Sequence, residues 1–277
     1  MPLARIALKN LLAADTLTRD LIRVRPLALE LMDKRGLRPW GLMDRPISQL
    51  FLEKRQGAIE DFLEELSAVD IPAADTEWGH LPAYYLIDYL TQGHREFLLN
   101  DIPDINYLFD MLLLTDSGDL GALGDLQSDF QSFCQDYQQH MNEEETHIFS
   151  RILRCEASLK DAAVHPEFNA GSVQIFIATR SPRLIMNSEA SLLEMVDRAA
   201  KLAGELGLPA PEGANLHSLM VHFLQRLRAH NHLETQVLFP LGLELERTLY
   251  NLSIGGKLPV RRMRGPLDSG VIRLRPV

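Results

Sequence analysis

Only two cysteines, Cys134 and Cys155, occur in 277 residues, and no Cys-x2-Cys pair is present. That excludes a disulfide framework and fits a reducing cytoplasm. Neither cysteine has a His/Asp constellation close by in sequence, which argues against a catalytic thiol. No run approaches 18 apolar residues, so no membrane-spanning helix is expected. The opening stretch, MPLARIALKNLLAADTLTRD, is too broken by charge to read as a signal peptide. Excess positive charge is missing as well. Lys and Arg number 28 against 38 Asp and Glu, a formal net charge of -10. This argues against a dedicated nucleic-acid or anionic-membrane binder. A Gly-rich phosphate loop and a Gly-x-Ser-x-Gly elbow are both absent.

Period-two strand patterns are also lacking, and apolar residues recur at i, i+3, i+4 and i+7 instead. Hydrophobic residues make up 46 % of the chain, enough for an ordinary core. Thr16 or Asp15 is placed to cap a first short helix, and residues 26–35 predict a second, ended by Gly36. Residues 46–68 predict two more. A polar, proline-containing linker follows over 70–75. Four long amphipathic tracts then run at about 82–116, 122–156, 183–207 and 213–249, with an irregular connection over 157–182. The expected architecture is all-α: a small helical domain over 1–70, a four-helix bundle over 78–250, and a flexible basic tail over 251–277. From Lys257 onward six cations face Asp268 alone, so the rest of the chain is more acidic than the total suggests.

One motif occurs twice. His140-x3-Glu144-x3-Ile148-Phe149 is matched by His230-x3-Glu234-x3-Leu238-Phe239. Residues four apart share a helical face. Both pairs fall on the apolar stripes of their tracts: Leu126, Phe130, Phe133, Tyr137, Met141, Ile148 and Ile152 in one, Leu216, Leu219, Phe223, Leu227, Val237, Leu241 and Leu245 in the other. An inward carboxylate is costly unless it is paired or bound to a cation. Two such carboxylates would repel each other, and a divalent cation removes both problems. Imidazole with carboxylate suits iron, manganese or zinc. The competing reading is solvated glutamates beside satisfied core histidines. His94 lies on the stripe of the first tract with Ile87, Leu90, Phe97 and Leu98, and a lone stripe histidine is more often structural. Asp116 closes that tract's stripe but also reads as a helix-end residue before Ser117-Gly118. His147, His217, His222 and His232 are expected at the surface or behind the ligands.

The segments HMNEEETHIF and HNHLETQVLFP resemble the two His/Glu signatures of the hemerythrin-like di-iron proteins that repair iron–sulfur clusters (the RIC family). The stretch from Trp78 to Leu90 and the later Pro103 resemble that family's first bundle helix, and residues 15–68 its small helical domain. The resemblance implies His140 and His230 as ligands and Glu144 and Glu234 as bridging carboxylates of an iron centre with one or two ions. The chain departs from the pattern in three places. Glu189-Ala190 stands where the third helix should carry Glu-His. Counting back from Pro103 puts Arg95 at the first-helix ligand position with His94 beside it, and Asp116 falls near a further ligand position. The paired cysteines expected after the Gly36-Leu37-Arg38 segment are replaced by Pro39-Trp40.

The resemblance implies a metal-binding repair protein rather than a classical enzyme, acting on iron–sulfur clusters after nitrosative or oxidative damage. Iron–sulfur client proteins are its expected partners, with no nucleic acid and no membrane, and a homodimer is compatible with it. Two readings stay open beside this one. One is a module that senses O2, NO or a metal. The other is a metal-free bundle acting as an interaction protein.

Overall fold

The computed structural model describes residues 13–53, 59–68, 74–114, 120–160, 191–201 and 210–253. Asp116, Glu189-Ala190, residues 161–182 of the irregular connection and the basic tail from residue 254 on lie outside them. Among the described residues the structure is all-helical, with one isolated antiparallel bridge, Leu17 to Pro46. No helix among them is long and apolar enough to cross a membrane.

The chain divides into two compact units. The first takes in residues up to Leu86 and holds α1 (Thr18–Val24), α2 (Leu27–Lys34), α3 (Ile47–Glu53), α4 (Ile59–Ala68) and α5 (Ala74–His80). The start of α1 is not closed by Thr16 or Asp15. Leu17 occupies the cap position without a side-chain bond. The backbone N–H groups of Thr18 and Arg19 donate instead to the carbonyls of Arg45 and Met43, both at 2.9 Å. Tertiary backbone partners thus replace the side-chain cap. Gly36 ends α2 at a positive φ of 65°. There the N–H of Leu37 reaches the Met32 carbonyl at 2.9 Å and that of Gly36 reaches Asp33 at 2.8 Å, a turn that glycine adopts without strain. Residues 77–86 belong to this unit through polar contacts. Buried Arg25 donates to Glu77 at 2.7 Å, Glu77 also accepts from the Leu27 N–H at 2.9 Å, and the Tyr85 hydroxyl reaches Asp33 at 3.1 Å.

The second unit, residues 87–258, contains three long helical rods and a further helix, α10, over 191–201. The first rod continues from α6 (Ala83–Glu96) through π1 (Phe97–Asp101) into α7 (Ile102–Leu113). The next joins α8 (Leu120–Glu143), π2 (Glu144–Phe149) and α9 (Ser150–Lys160). The last joins α11 (Ala210–Leu233), π3 (Glu234–Leu238) and α12 (Phe239–Ser253). Helix α7 packs on α8 and α11, and α9 packs on α12. The apolar stripes face inward. Leu126, Phe130, Phe223 and Leu227 have no exposed surface, and Phe97, Phe109, Leu192 and Met195 join them in one core. Each rod therefore changes from α to π geometry once, and two of the π turns begin on the glutamate of the repeated motif. A π turn is disfavoured in a regular helix and is found disproportionately at functional sites.

Candidate metal centre

The inward faces of the three rods bring His94, His140, Glu144, His230 and Glu234 together, and none is more than 6 % exposed. His94, from the last turns of α6, places Nε2 2.9 Å from Nε2 of His230. It also lies 3.8 Å from Glu144 and 3.9 Å from Glu234. His230 Nε2 is 3.1 Å from Glu234 Oε1, one turn along the same rod. His140 Nε2 is likewise 3.1 Å from Glu144 Oε1. One donor atom each from His94, His230 and Glu234 falls within a sphere that a single cation can span. The stripe reading had placed these side chains inward from both motif tracts. The stripe favours His94 over Arg95 as the first-tract ligand, and here His94 meets His230 and lies near Glu144 of the other motif. Arg95, the alternative at that position, is exposed.

Two observations test whether the donors fit a cation. Separations of 2.9–3.1 Å are what two donors make when both sit about 2.1 Å from one ion at right angles. The same separations also suit hydrogen bonds, so distance alone does not decide. A second observation bears on the same question. Glu144 Oε1, Glu234 Oε2 and both ring nitrogens of His140 are buried without a well-aligned hydrogen bond, although His140 Nε2 and Glu144 Oε1 lie 3.1 Å apart. Leaving such atoms bare costs about 1–3 kcal/mol each, and a hydrogen-bond network among these five side chains does not satisfy them. A cation would.

Electrostatics separates the two carboxyls. Burial, reinforced by the adjacent charge of Glu234, drives the Glu144 carboxyl well above its ordinary value. Burial pushes Glu234 the same way, but its interactions with His230, a hydrogen bond among them, outweigh burial and favour the ionised form. The two shifts together favour one proton held by the pair. Burial also lowers His94 and His140, which keeps their imidazoles neutral and their lone pairs available.

Glu145 was not singled out by the motif. It is half-exposed, and its carboxylate accepts from His94 Nδ1 at 2.8 Å. That bond fixes the tautomer of His94 with Nε2 bare and turned into the cluster, the arrangement that commonly backs a metal-bound histidine. It also draws the Glu145 carboxyl below its ordinary value. Neighbouring rings shield the site. Phe149 stacks on His94 at 5.8 Å and Phe97 meets His230 edge-on at 5.5 Å. Arg226 holds π1 from α11, bonding Asp101 at 2.7 Å and Glu96, with its guanidinium 5.2 Å over Phe97. His147, His222 and His232 are exposed and His217 is half-buried.

Gly93 is the second residue that the motif left unnoticed. A Cβ at this position would lie 3.0 Å from His230 Nδ1 and 3.5 Å from its Cε1. A glycine inside a helical tract is a signal in itself, because it costs about 1 kcal/mol relative to alanine unless something needs the space. Gly93→Ala is expected to shift the His230 ring by a few tenths of an ångström and weaken cation binding about tenfold. The metal-free protein should be no less stable, through the gain in helix propensity. Titration with Co(II) alongside thermal melts checks this, and unchanged affinity would show that the close approach is idle. No known family and no curated protein matches this chain.

Proposed function

We propose that the chain is a non-haem iron-binding protein. In this reading a hemerythrin-like four-helix bundle holds iron through His94, His230, Glu234 and Glu144, with His140 beside Glu144. We further propose that it serves the repair of iron–sulfur clusters damaged by nitrosative or oxidative stress. The observation that carries the metal reading is the set of buried, unpartnered donor atoms around the His94–His230 contact. Support for the repair role comes from the likeness of the two His/Glu segments to the RIC signatures. A metal-free bundle would be expected to pair Glu144 and Glu234 with basic or hydroxyl side chains. Among the described residues each faces the histidine of its own motif and the other carboxyl, with no lysine, arginine or hydroxyl group beside it.

The donor set, imidazole with carboxylate, suits iron and also accepts manganese or zinc. Bound iron would supply a redox-active and exchangeable cation. The protein's own contribution is orientation and exclusion of water. Glu145 sets the His94 tautomer, Arg226 pins the π turn, and Phe97 and Phe149 close the sides.

The test begins with the metal content of the protein as isolated and after anaerobic loading with Fe(II). One or two iron ions per chain are expected, and His94→Ala should lose most of that binding. A wild-type protein that takes up no metal would sink the reading. The repair role needs its own assay, in which the iron-loaded protein restores a nitrosatively damaged iron–sulfur enzyme. Iron binding without any restoration would discard repair. A spectral response to NO or O2 would then favour a sensing module.

A further inference from the structure

The centre is enclosed, so a cation needs a way in, and two clefts reach it from opposite sides of α8. One, with a volume of about 390 Å³, runs between α8 and α10 and ends on His140. Its walls carry Asp129, Asp136 and Glu194 against a single cation, Arg198, which is paired with Asp129. Asp136 and Glu194 are exposed. His140 is only 4 % exposed, and its Nδ1 meets no donor or acceptor among the described residues, while its Nε2 faces Glu144. The other cleft, about 520 Å³, ends on His94 and is lined by Arg95, Gln135, Gln138, Gln139 and Glu145. It is rich in neutral amides and carries a cation. At its floor His94 Nδ1 already bonds Glu145.

We propose that divalent cations load through the cleft between α8 and α10, drawn by Asp136 and Glu194, and that His140 is the first ligand they meet before Glu144. The proposal rests on the metal reading of the centre. The choice between clefts follows from charge and from free lone pairs. Carboxylate-lined mouths raise the local concentration of cations and their arrival rate, and salt screens the effect. A bare imidazole at the floor offers an arriving ion a ligand that the second cleft lacks. Among the described residues, Asp136 and Glu194 belong to no group of donors close enough to hold an ion. They therefore act on the rate of loading rather than on final affinity.

Stopped-flow mixing of the metal-free full chain with Co(II) alone, followed by visible absorbance, reads this directly. The double variant Asp136→Asn/Glu194→Gln is expected to load about tenfold more slowly at low ionic strength. It should reach the same final spectrum and affinity, and the difference should shrink in high salt. Ser132→Trp, which places bulk in the same cleft, should slow loading at every salt concentration. Parent-like rates in both variants would overturn this route while leaving the centre intact. A weaker final affinity in the double variant would also overturn it, since it would make the two carboxylates part of the binding site. If the parent takes up no Co(II), the centre and its loading route fall together.

Discussion

Glu144→Gln is expected to give a protein that melts higher than the parent without metal and no longer gains stability when Co(II) or Fe(II) is added. The two halves of this result have one cause. Without a cation, Glu144 is a buried carboxyl pressed against the ionised Glu234. In the unfolded chain that carboxyl is free to ionise, so holding a proton on it in the folded protein costs stability, and an isosteric amide removes the cost. About 1 kcal/mol of relief corresponds to roughly 2–4 °C in a chain of this size. With a cation the balance reverses. A ligand at 100 times its Kd stabilises the native state by about 2.7 kcal/mol. Losing a direct donor costs more than the roughly 10–100-fold in affinity typical of losing a supporting partner, so that increment disappears. Glu145→Gln supplies the contrast. Its side chain is 40 % exposed and touches only the far nitrogen of His94. It should weaken binding about tenfold and leave the metal-free melt unchanged. Thermal melts with and without metal on the three proteins decide the matter. A Glu144→Gln variant that is less stable without metal, yet still stabilised by it, would refute this account of the centre.

The helical content was legible because the i, i+3, i+4 pattern ran through the tracts, and the stripe residues named from it are buried among the described residues, except for half-buried Leu98 and Leu219. The position of His94 was harder to read. Counting back from Pro103 lands on Arg95, one residue away from the buried histidine. Between the two lies π1, and a π turn takes one residue more than an α turn. The same effect hid Glu145. In a regular helix, neighbours in sequence point about 100° apart, so Glu145 has no place on the stripe of Glu144. Yet the first turn of π2 sets one carboxyl in the cluster and the next against the back of His94. Periodicity finds residues that obey the period, and the three π turns are where this chain leaves it. The cap of α1 escaped for a different reason. Its partners, the Met43 and Arg45 carbonyls, are brought up by a later segment that local sequence does not reveal.

Cation affinity is expected to climb with pH between about pH 5.5 and 7.5, by at most about tenfold per pH unit, because the site must give up a proton to bind. The donor of that proton follows from the shifts. The upward shift of Glu144 favours its protonated form in the metal-free state, whereas the downward shifts of His94 and His140 favour their neutral forms. The expected release is about one proton per cation, readable by calorimetry in two buffers of different ionisation enthalpy, and Glu144→Gln should abolish it. The same shifts set the metal-free protein's own pH dependence, in opposite directions. A raised carboxyl contributes stability that is full below its ordinary value of 4.5 and is lost as pH rises through its folded value. Lowered histidines contribute stability that is present above 6.5 and is lost as pH falls through theirs. Above pH 6.5, then, the histidines are at no disadvantage, and the cost that remains is the one a cation removes. The gain in melting temperature on adding metal should accordingly be larger at pH 7.5 than at pH 5.5. A gain that is flat or falls across this range would place the titrating group outside the Glu144–Glu234 pair.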